Sequence, residues 1–181
     1  MKCSVYIATS VDGFIAKPDG DIEWLHRSEY GDAAKLGLVY TEFISTVDAI
    51  VMGRHSFEKV LTFNEWYYED TEVIVLTTRD LTVPENLTGK VRIESGAPQE
   101  IVAKLAGEGK KHLYIDGGIT IQRFLEAKLI NELTITVIPI LLGRGIPLFG
   151  KGTMEQSLEL IDVFTSASGT VQKRYKVKPV E

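Results

Sequence analysis

Three short runs attach glycine, hydroxyl and arginine side chains to the ends of apolar segments: Gly53-Arg54-His55-Ser56, Thr77-Thr78-Arg79 and Gly117-Gly118. Together they suit an anion. Glycine lets backbone N–H groups approach a phosphate because no Cβ intervenes. Ser56 adds a hydroxyl donor, and arginine offers a planar fork of donors that matches phosphate oxygens. Where such a run follows a strand and opens a helix, the positive end of the helix dipole adds attraction. The sum is a dinucleotide cradle, with Arg54 and Arg79 suited to one more phosphate, such as the 2′-phosphate of NADPH. Singly, each run also reads as a turn or a solvated arginine. A GxGxxG with a downstream acid, a GxxxxGKS/T phosphate loop and a GxSxG elbow are all absent. The nucleotide-binding and hydrolase folds those motifs mark are therefore not supported.

The elements that must hold these runs alternate short apolar stretches with amphipathic ones, the pattern of an α/β domain. Strands are expected at Cys3–Thr9, Asp48–Met52, Glu72–Thr77, Val91–Glu94, His112–Asp116 and Glu132–Ile138. Helical spacing of Leu36, Val39, Tyr40, Phe43 and Val47 predicts a helix from about Asp32 to Val47, with Asp32 as N-cap. Short helices follow Ser56, Pro98 and Gly118. Leu158–Thr165 and Thr170–Val177 flank Ser168-Gly169 and predict an antiparallel hairpin at the sheet edge. No repeat or linker divides the 181 residues, which fit one domain.

Composition narrows the chemistry. A hydrophobic fraction of 44% supports a core, and a net charge of −5 lacks the basic face that nucleic acid requires. One cysteine, Cys3, and three histidines, His26, His55 and His112, are too few for a Cys/His zinc site, so no metal is expected. A single cysteine also fits a reducing compartment. No apolar run approaches the roughly 20 residues of a membrane span, and MKCSVYIATS reads as a strand, not a signal peptide. A cytoplasmic protein that binds neither membrane nor nucleic acid is the expectation.

Four segments in order resemble the dihydrofolate reductase-like superfamily. They are Ile7 to Ala16, Val51 to Glu58, Val75 to Arg79, and Ile115 to Gly118 with Phe124-Leu125. Asn131-Glu132-Leu133 and the run Pro139 to Phe149 (PILLGRGIPLF) are more specific. They resemble the reductase domain of the bifunctional riboflavin-biosynthesis deaminase–reductases, and more closely its stand-alone relatives. The zinc signature of the deaminase half is absent.

The resemblance implies a three-layer α/β fold with a mostly parallel central sheet, flanking helices and the C-terminal hairpin. It also implies an NADPH-dependent reductase of a ribosylaminopyrimidine-type heterocycle. By similarity Gly53, Arg54, His55 and Ser56 hold cofactor phosphates, and Leu76, Thr77, Thr78 and Arg79 line the adenosine and its 2′-phosphate. Asp116, Gly117, Gly118, Ile119 and Thr120 cover the pyrophosphate and nicotinamide ribose, while Ala8, Ile15 and Ala16 frame the nicotinamide. On the substrate side, dihydrofolate reductases place a carboxylate after a tryptophan. Trp24 and Glu29 fall near those places, and Thr136 aligns with a substrate-facing threonine. Asp12 is a second acid, with an Asp-Gly turn as its plainer reading. Phe14, Trp24, Tyr40 and Phe43 form either an aromatic wall or ordinary core, and the Glu65–Asp70 loop rims either the pocket or a contact. Two other readings stay open: a dihydrofolate reductase proper, and a ligand sensor on the same fold that has lost catalysis. A homodimer is implied by the riboflavin-type relatives, with Pro147-Leu148-Phe149 and the C-terminal strands as candidate contacts.

Overall fold

The computed structural model describes residues 1–152 and 155–179. In chain order the strands are β1 (Lys2–Ser10), β2 (Phe14–Ala16), β3 (Ala49–Gly53), β4 (Glu72–Leu76), β5 (Val91–Glu94), β6 (His112–Asp116), β7 (Glu132–Ile138), β8 (Ile146–Pro147), β9 (Leu158–Thr165) and β10 (Val171–Val177). The helices are α1 (Tyr40–Ile44), α2 (Arg54–Val60), α3 (Pro98–Gly107) and α4 (Gly118–Glu126). Eight strands form one sheet in the order β5-β4-β3-β6-β1-β7-β10-β9. β5 through β7 run parallel, and β10 and β9 close the edge antiparallel. β2 and β8 pair separately.

Strand periodicity builds two cores. On β3, Ala49 and Val51 face one layer and Ile50 and Met52 the other. Ile101 and Leu105 of α3 and Ile121, Phe124 and Leu125 of α4 cover the first face, against Val5, Val51, Ile115 and Leu133. Phe43 of α1 and Phe57 and Val60 of α2 cover the second, against Ile50, Met52, Val73 and Val75. Each such apolar side chain contributes about 1.5–3 kcal/mol when fully buried. Among the described residues no helix is long and apolar enough to cross a membrane.

The helix expected from Asp32 to Val47 is mostly not formed. Two 3₁₀ turns, Ser28–Tyr30 and Ala33–Lys35, give way to extended chain, and only Tyr40–Ile44 is α-helical. Tertiary hydrogen bonds replace the helical ones. The Leu38 N–H donates to Gln172 Oε1 (2.8 Å), and its carbonyl accepts from Tyr6 Oη (2.8 Å) and Gln172 Nε2 (3.1 Å). Gly37 turns the chain at φ 58°. Asp32 caps nothing with its side chain. Its carboxylate accepts from the Ser168 N–H (3.1 Å) and Oγ (2.6 Å), docking this segment onto the β9–β10 turn. Of the apolar residues that suggested a long helix, Tyr40, Phe43 and Val47 still pack in the core, while Leu36 and Val39 are only partly buried and the backbone between them follows a different path.

Candidate active site

The chain leaves β3 toward β4 through α2 on one face of the sheet. It leaves β6, the neighbour of β3, toward β7 through α4 on the other face. Such a switch point opens a crevice at the carboxyl ends of parallel strands. Met52 and Asp116 are register partners there, so Gly53 and Gly117 stand side by side and open α2 and α4. Neither helix start has a side-chain cap.

Close contacts fix the cradle. Gly117 adopts φ 85°, and a Cβ there would collide with Ser56 Oγ. A Cβ on Gly53 would lie 3.0 Å from Thr120 Oγ1. One on Gly118 would lie 3.1 Å from Ile15 Cδ1 and 3.3 Å from the Pro147 carbonyl oxygen. The structure thus brings Gly53, Ser56, Gly117, Gly118, Thr120 and Ile15 together. Thr120 is buried and Ile119 exposed.

The phosphate-side residues lie farther along the strand ends. Arg54 Nε donates to Glu58 Oε1 at 2.6 Å, which leaves the η nitrogens to a ligand. The same arginine holds the Glu58 carboxyl below its ordinary range. His55 is exposed, with Nδ1 3.4 Å from Glu58. Leu76 is buried, and Thr77 Oγ1 accepts from the Arg79 N–H (3.1 Å), turning the chain so that Arg79 stands exposed. From β4 across β3 and β6 to β1 is three strand spacings, about 14 Å. That line runs from Arg79 to Ala8.

At the β1 end, β2 and β8 pair and bring Ile15 against the start of α4. Asp12 secures the pairing. Its carboxylate accepts from Ser10 Oγ (2.6 Å), the Leu142 N–H (3.1 Å) and the Gly143 N–H (2.7 Å). Those bonds, the Ser10 one foremost, hold its carboxyl below the ordinary range. Asp12 is therefore a staple between two loops and holds no proton for transfer.

The substrate-side candidates separate. Glu29 is solvated on a 3₁₀ turn, with its carboxylate 3.8 Å from Arg27. Trp24 is fully buried, and its Nε1 has no partner among the described residues. Thr136 is buried opposite Ala8, and its Oγ1 accepts weakly from Gln172 Nε2 (3.4 Å). Phe43 stacks on Tyr6 at 4.8 Å as core packing. The Glu65–Asp70 loop folds inward, with Tyr68 buried and Trp66 edge-on to Phe57 and Tyr68.

Asp116 is the acid this crevice contains. Leu113 and Ile115 face the α3–α4 core, and Tyr114 faces the other. Alternation places Asp116 on the Tyr114 face, at the floor of the crevice. Ala8 and Thr136 lie on that same face. Burial pushes its carboxyl above the ordinary range, opposed by the Gly117 amide and the Tyr114 hydroxyl. Burial and the Asp116 charge in turn raise the Tyr40, Tyr68 and Tyr114 hydroxyls. The sequence reading grouped Asp116 with the cofactor residues. The signal for an acid was present in HLYID, where a carboxylate ends a buried strand on its aromatic side.

Comparison with known proteins shows the family and the fold. The sequence model described as RibD C-terminal domain matches residues 2–172. Protein YwjB of Bacillus subtilis, whose function is uncharacterized, is 39% identical over 163 residues, covering 88% of each chain. A crystal structure of a protein from Shewanella sp. PV-4 assigned to riboflavin biosynthesis superposes with a TM-score of 0.88 and 38% identity, covering 99% of this chain and 100% of that one. The diaminohydroxyphosphoribosylaminopyrimidine deaminase/5-amino-6-(5-phosphoribosylamino)uracil reductase of Thermotoga maritima shares the fold, with a TM-score of 0.70 at 13% identity. The match covers 98% of this chain and 56% of that bifunctional protein.

Proposed function

The chain belongs to the RibD C-terminal domain family, and from that premise we propose that it is an NADPH-dependent reductase of a ribosylaminopyrimidine-type heterocycle. The observation that carries the reading is the glycine cradle between two helix starts without side-chain caps, with a half-buried carboxyl at its floor. A dinucleotide fits the residues present. Gly117 lets Ser56 Oγ approach the backbone where a Cβ would collide, Ser56 and Thr120 bring hydroxyls to the glycines of the cradle, and the Arg54 η nitrogens have no protein partner among the described residues.

Gly53, Arg54, His55 and Ser56 hold the pyrophosphate, and Thr77, Thr78 and Arg79 hold the adenosine side. Ile15, Ala16 and Ala8 frame the nicotinamide. When bound, NADPH supplies a hydride; the acceptor carbon takes it and an adjacent heteroatom takes a proton. Positioning supplies most of the rate. Asp116 holds the proton in a carboxyl that burial keeps protonated above the usual range, and delivers it as general acid. A dihydrofolate reductase proper is less well supported, because the carboxylate at the corresponding place, Glu29, is solvated.

NADPH oxidation measured against 5-amino-6-(5-phosphoribosylamino)uracil and dihydrofolate tests the reading. Turnover of the pyrimidine is expected. Turnover of dihydrofolate alone, or of neither, contradicts it. Arg79→Ala should weaken NADPH by roughly tenfold or more and NADH much less, because only the former carries the 2′-phosphate. Equal losses in fluorescence titrations would remove Arg79 from that role.

Two copies are proposed to associate through the sheet face of β7, β10 and β9. On β9, Leu158, Leu160, Ile161, Val163 and Phe164 are all exposed. Leu158, Leu160 and Val163 are register partners of Val177, Tyr175 and Lys173 on β10. Ile135, Tyr175 and Val177 continue this apolar surface, only partly buried at its margin. Sheets pack face to face through such surfaces. Light scattering should give twice the chain mass, and Leu160→Lys with Val163→Lys should give the monomer. A monomeric parent would refute the pairing.

A further inference from the structure

Gln172 lies fully buried on β10, and its side chain serves a distant part of the chain. Oε1 accepts from the Leu38 N–H (2.8 Å) and Nε2 donates to the Leu38 carbonyl (3.1 Å). One side-chain amide thus takes both backbone groups of one residue, as the peptide of a neighbouring strand would. Nε2 also reaches Thr136 Oγ1 (3.4 Å), and Tyr6 Oη donates to the same Leu38 carbonyl (2.8 Å). Gly37 is pressed so close that a Cβ there would collide with Gln172 Oε1 and the Phe164 ring. Removing the amide would leave the Leu38 N–H without its acceptor in a partly buried place.

The clasped segment runs along the carboxyl ends of the parallel strands. Earlier in the chain, Asp32 grips Ser168 in the β9–β10 turn (2.6 Å), and β10 starts at Val171, the register partner of Val137 near the end of β7. Thr136 is the register partner of both Gln172 and Ala8, so the clasp stands in line with the β1 side of the crevice. Just past Leu38, Tyr40 opens α1 and stands edge-on to Tyr6 at 5.7 Å. Ser4 and Tyr114 are register partners, so alternation puts Tyr6 and Asp116 on one face of the sheet. The Asp116 charge is felt at the Tyr40 hydroxyl. The strap from Asp32 to Tyr40 is therefore tied to the sheet at two points and ends beside the carboxyl of the crevice floor.

We propose that Gln172 is a positioning residue, whose clasp on Leu38 holds this strap over Asp116 and sets how much water reaches the carboxyl. The consequence for turnover rests on the reductase reading; the consequence for Asp116 itself does not. The titratable groups that face Asp116 are the hydroxyls of Tyr114 on its own strand, Tyr40 on the strap and Tyr68 in the loop after α2, with Tyr6 beside Tyr40 and Tyr114. All are neutral at neutral pH. Burial is the main cause that raises the Asp116 carboxyl, and a loosened strap relieves it by admitting water.

Two variants loosen the strap from opposite sides. Gln172→Leu keeps the bulk and removes the clasp. Gly37→Ala keeps Gln172 and pushes the strap away from it. The Asp116 carboxyl is titrated by ¹³C NMR, its signal identified by its loss in Asp116→Asn, and kcat/KM is followed across pH. In both variants the carboxyl should titrate at lower pH than in the parent, nearer its ordinary 3.8, and the alkaline limb of kcat/KM should move down with it. The value of kcat/KM should fall roughly tenfold to a hundredfold. NADPH affinity should stay that of the parent, because neither residue touches the glycine cradle. A clasp that only supports the fold would lower both melting temperatures and leave the Asp116 titration unmoved, which would overturn the proposal. Should Gln172→Leu fail to fold, Gly37→Ala decides alone by the same criterion. Failure of the reductase reading shows separately, as a shifted Asp116 titration in both variants of a protein whose parent oxidises NADPH with no heterocycle.

Discussion

Asp116→Asn should lower turnover by about 10²- to 10⁴-fold and at the same time raise thermal stability at neutral pH. Both effects come from one half-buried carboxyl. Asparagine keeps the shape of the side chain but carries no proton that it can release. It also removes a charge that burial disfavours. The pH dependence has a fixed sign. Burial raises the folded-state pKa above the ordinary value of 3.8, so the folded state binds the proton more tightly than the unfolded chain. That contribution to stability is complete below pH 3.8 and is lost as the pH rises through the folded-state pKa. Parent and variant should thus unfold alike in acid and diverge toward neutrality, with the variant the more stable. Activity of the parent should fall on the alkaline side of the same transition. Melting curves across pH, paired with single-turnover rates, separate this account from a purely structural Asp116. A structural carboxylate would lose stability on substitution and leave the alkaline limb of the rate profile unmoved.

Gly117→Ala is expected to damage both the fold and the cofactor site. Gly117 stands at φ 85° and ψ 137°, a conformation that costs an L-residue about 1–3 kcal/mol. The added methyl would also meet Ser56 Oγ, in the space where the cradle is narrowest. Denaturant midpoints should fall, and the NADPH dissociation constant should rise about tenfold or more, since the amides that follow Gly117 lose their aim. Adding Ser56→Ala should recover part of the stability by relieving the contact, but not the affinity, because the phosphate then loses a hydroxyl donor. An alanine variant as stable and as tightly binding as the parent would show that the close approach at Gly117 does not shape the site.

Much of the strand framework was legible because each strand is a short apolar run bounded by polar or glycine residues. HLYID, EVIVL and ELTITVI fall within a residue of their observed limits. Of the three strand-end runs that suggested a phosphate cradle, those after β3 and β6 meet at the switch point, and Thr77-Thr78-Arg79 follows the neighbouring strand β4. What escaped the sequence is tertiary. No local pattern shows that Gln172, 134 residues away, takes both hydrogen-bonding groups of Leu38, so the long helix through that point was expected and is not there. The two-residue strand β8 has no periodicity to read, and β2 is recognisable only through it. Glu29 and Asp116 exchange importance for the same reason. Proximity to a tryptophan in sequence favoured Glu29, whereas burial at the end of a core strand, visible only once the sheet order is known, favours Asp116.

The central claim is that the crevice between α2 and α4 holds NADPH, and direct titration tests it most plainly. NADPH fluorescence should change saturably at one site per chain. Thermal unfolding at a hundredfold excess over the dissociation constant should show a stabilisation of about 2.7 kcal/mol. Weaker binding of NADH and loss of the signal in Gly117→Ala would complete the predicted result. An unaltered fluorescence signal and an unmoved melting curve at millimolar NADPH would contradict the account.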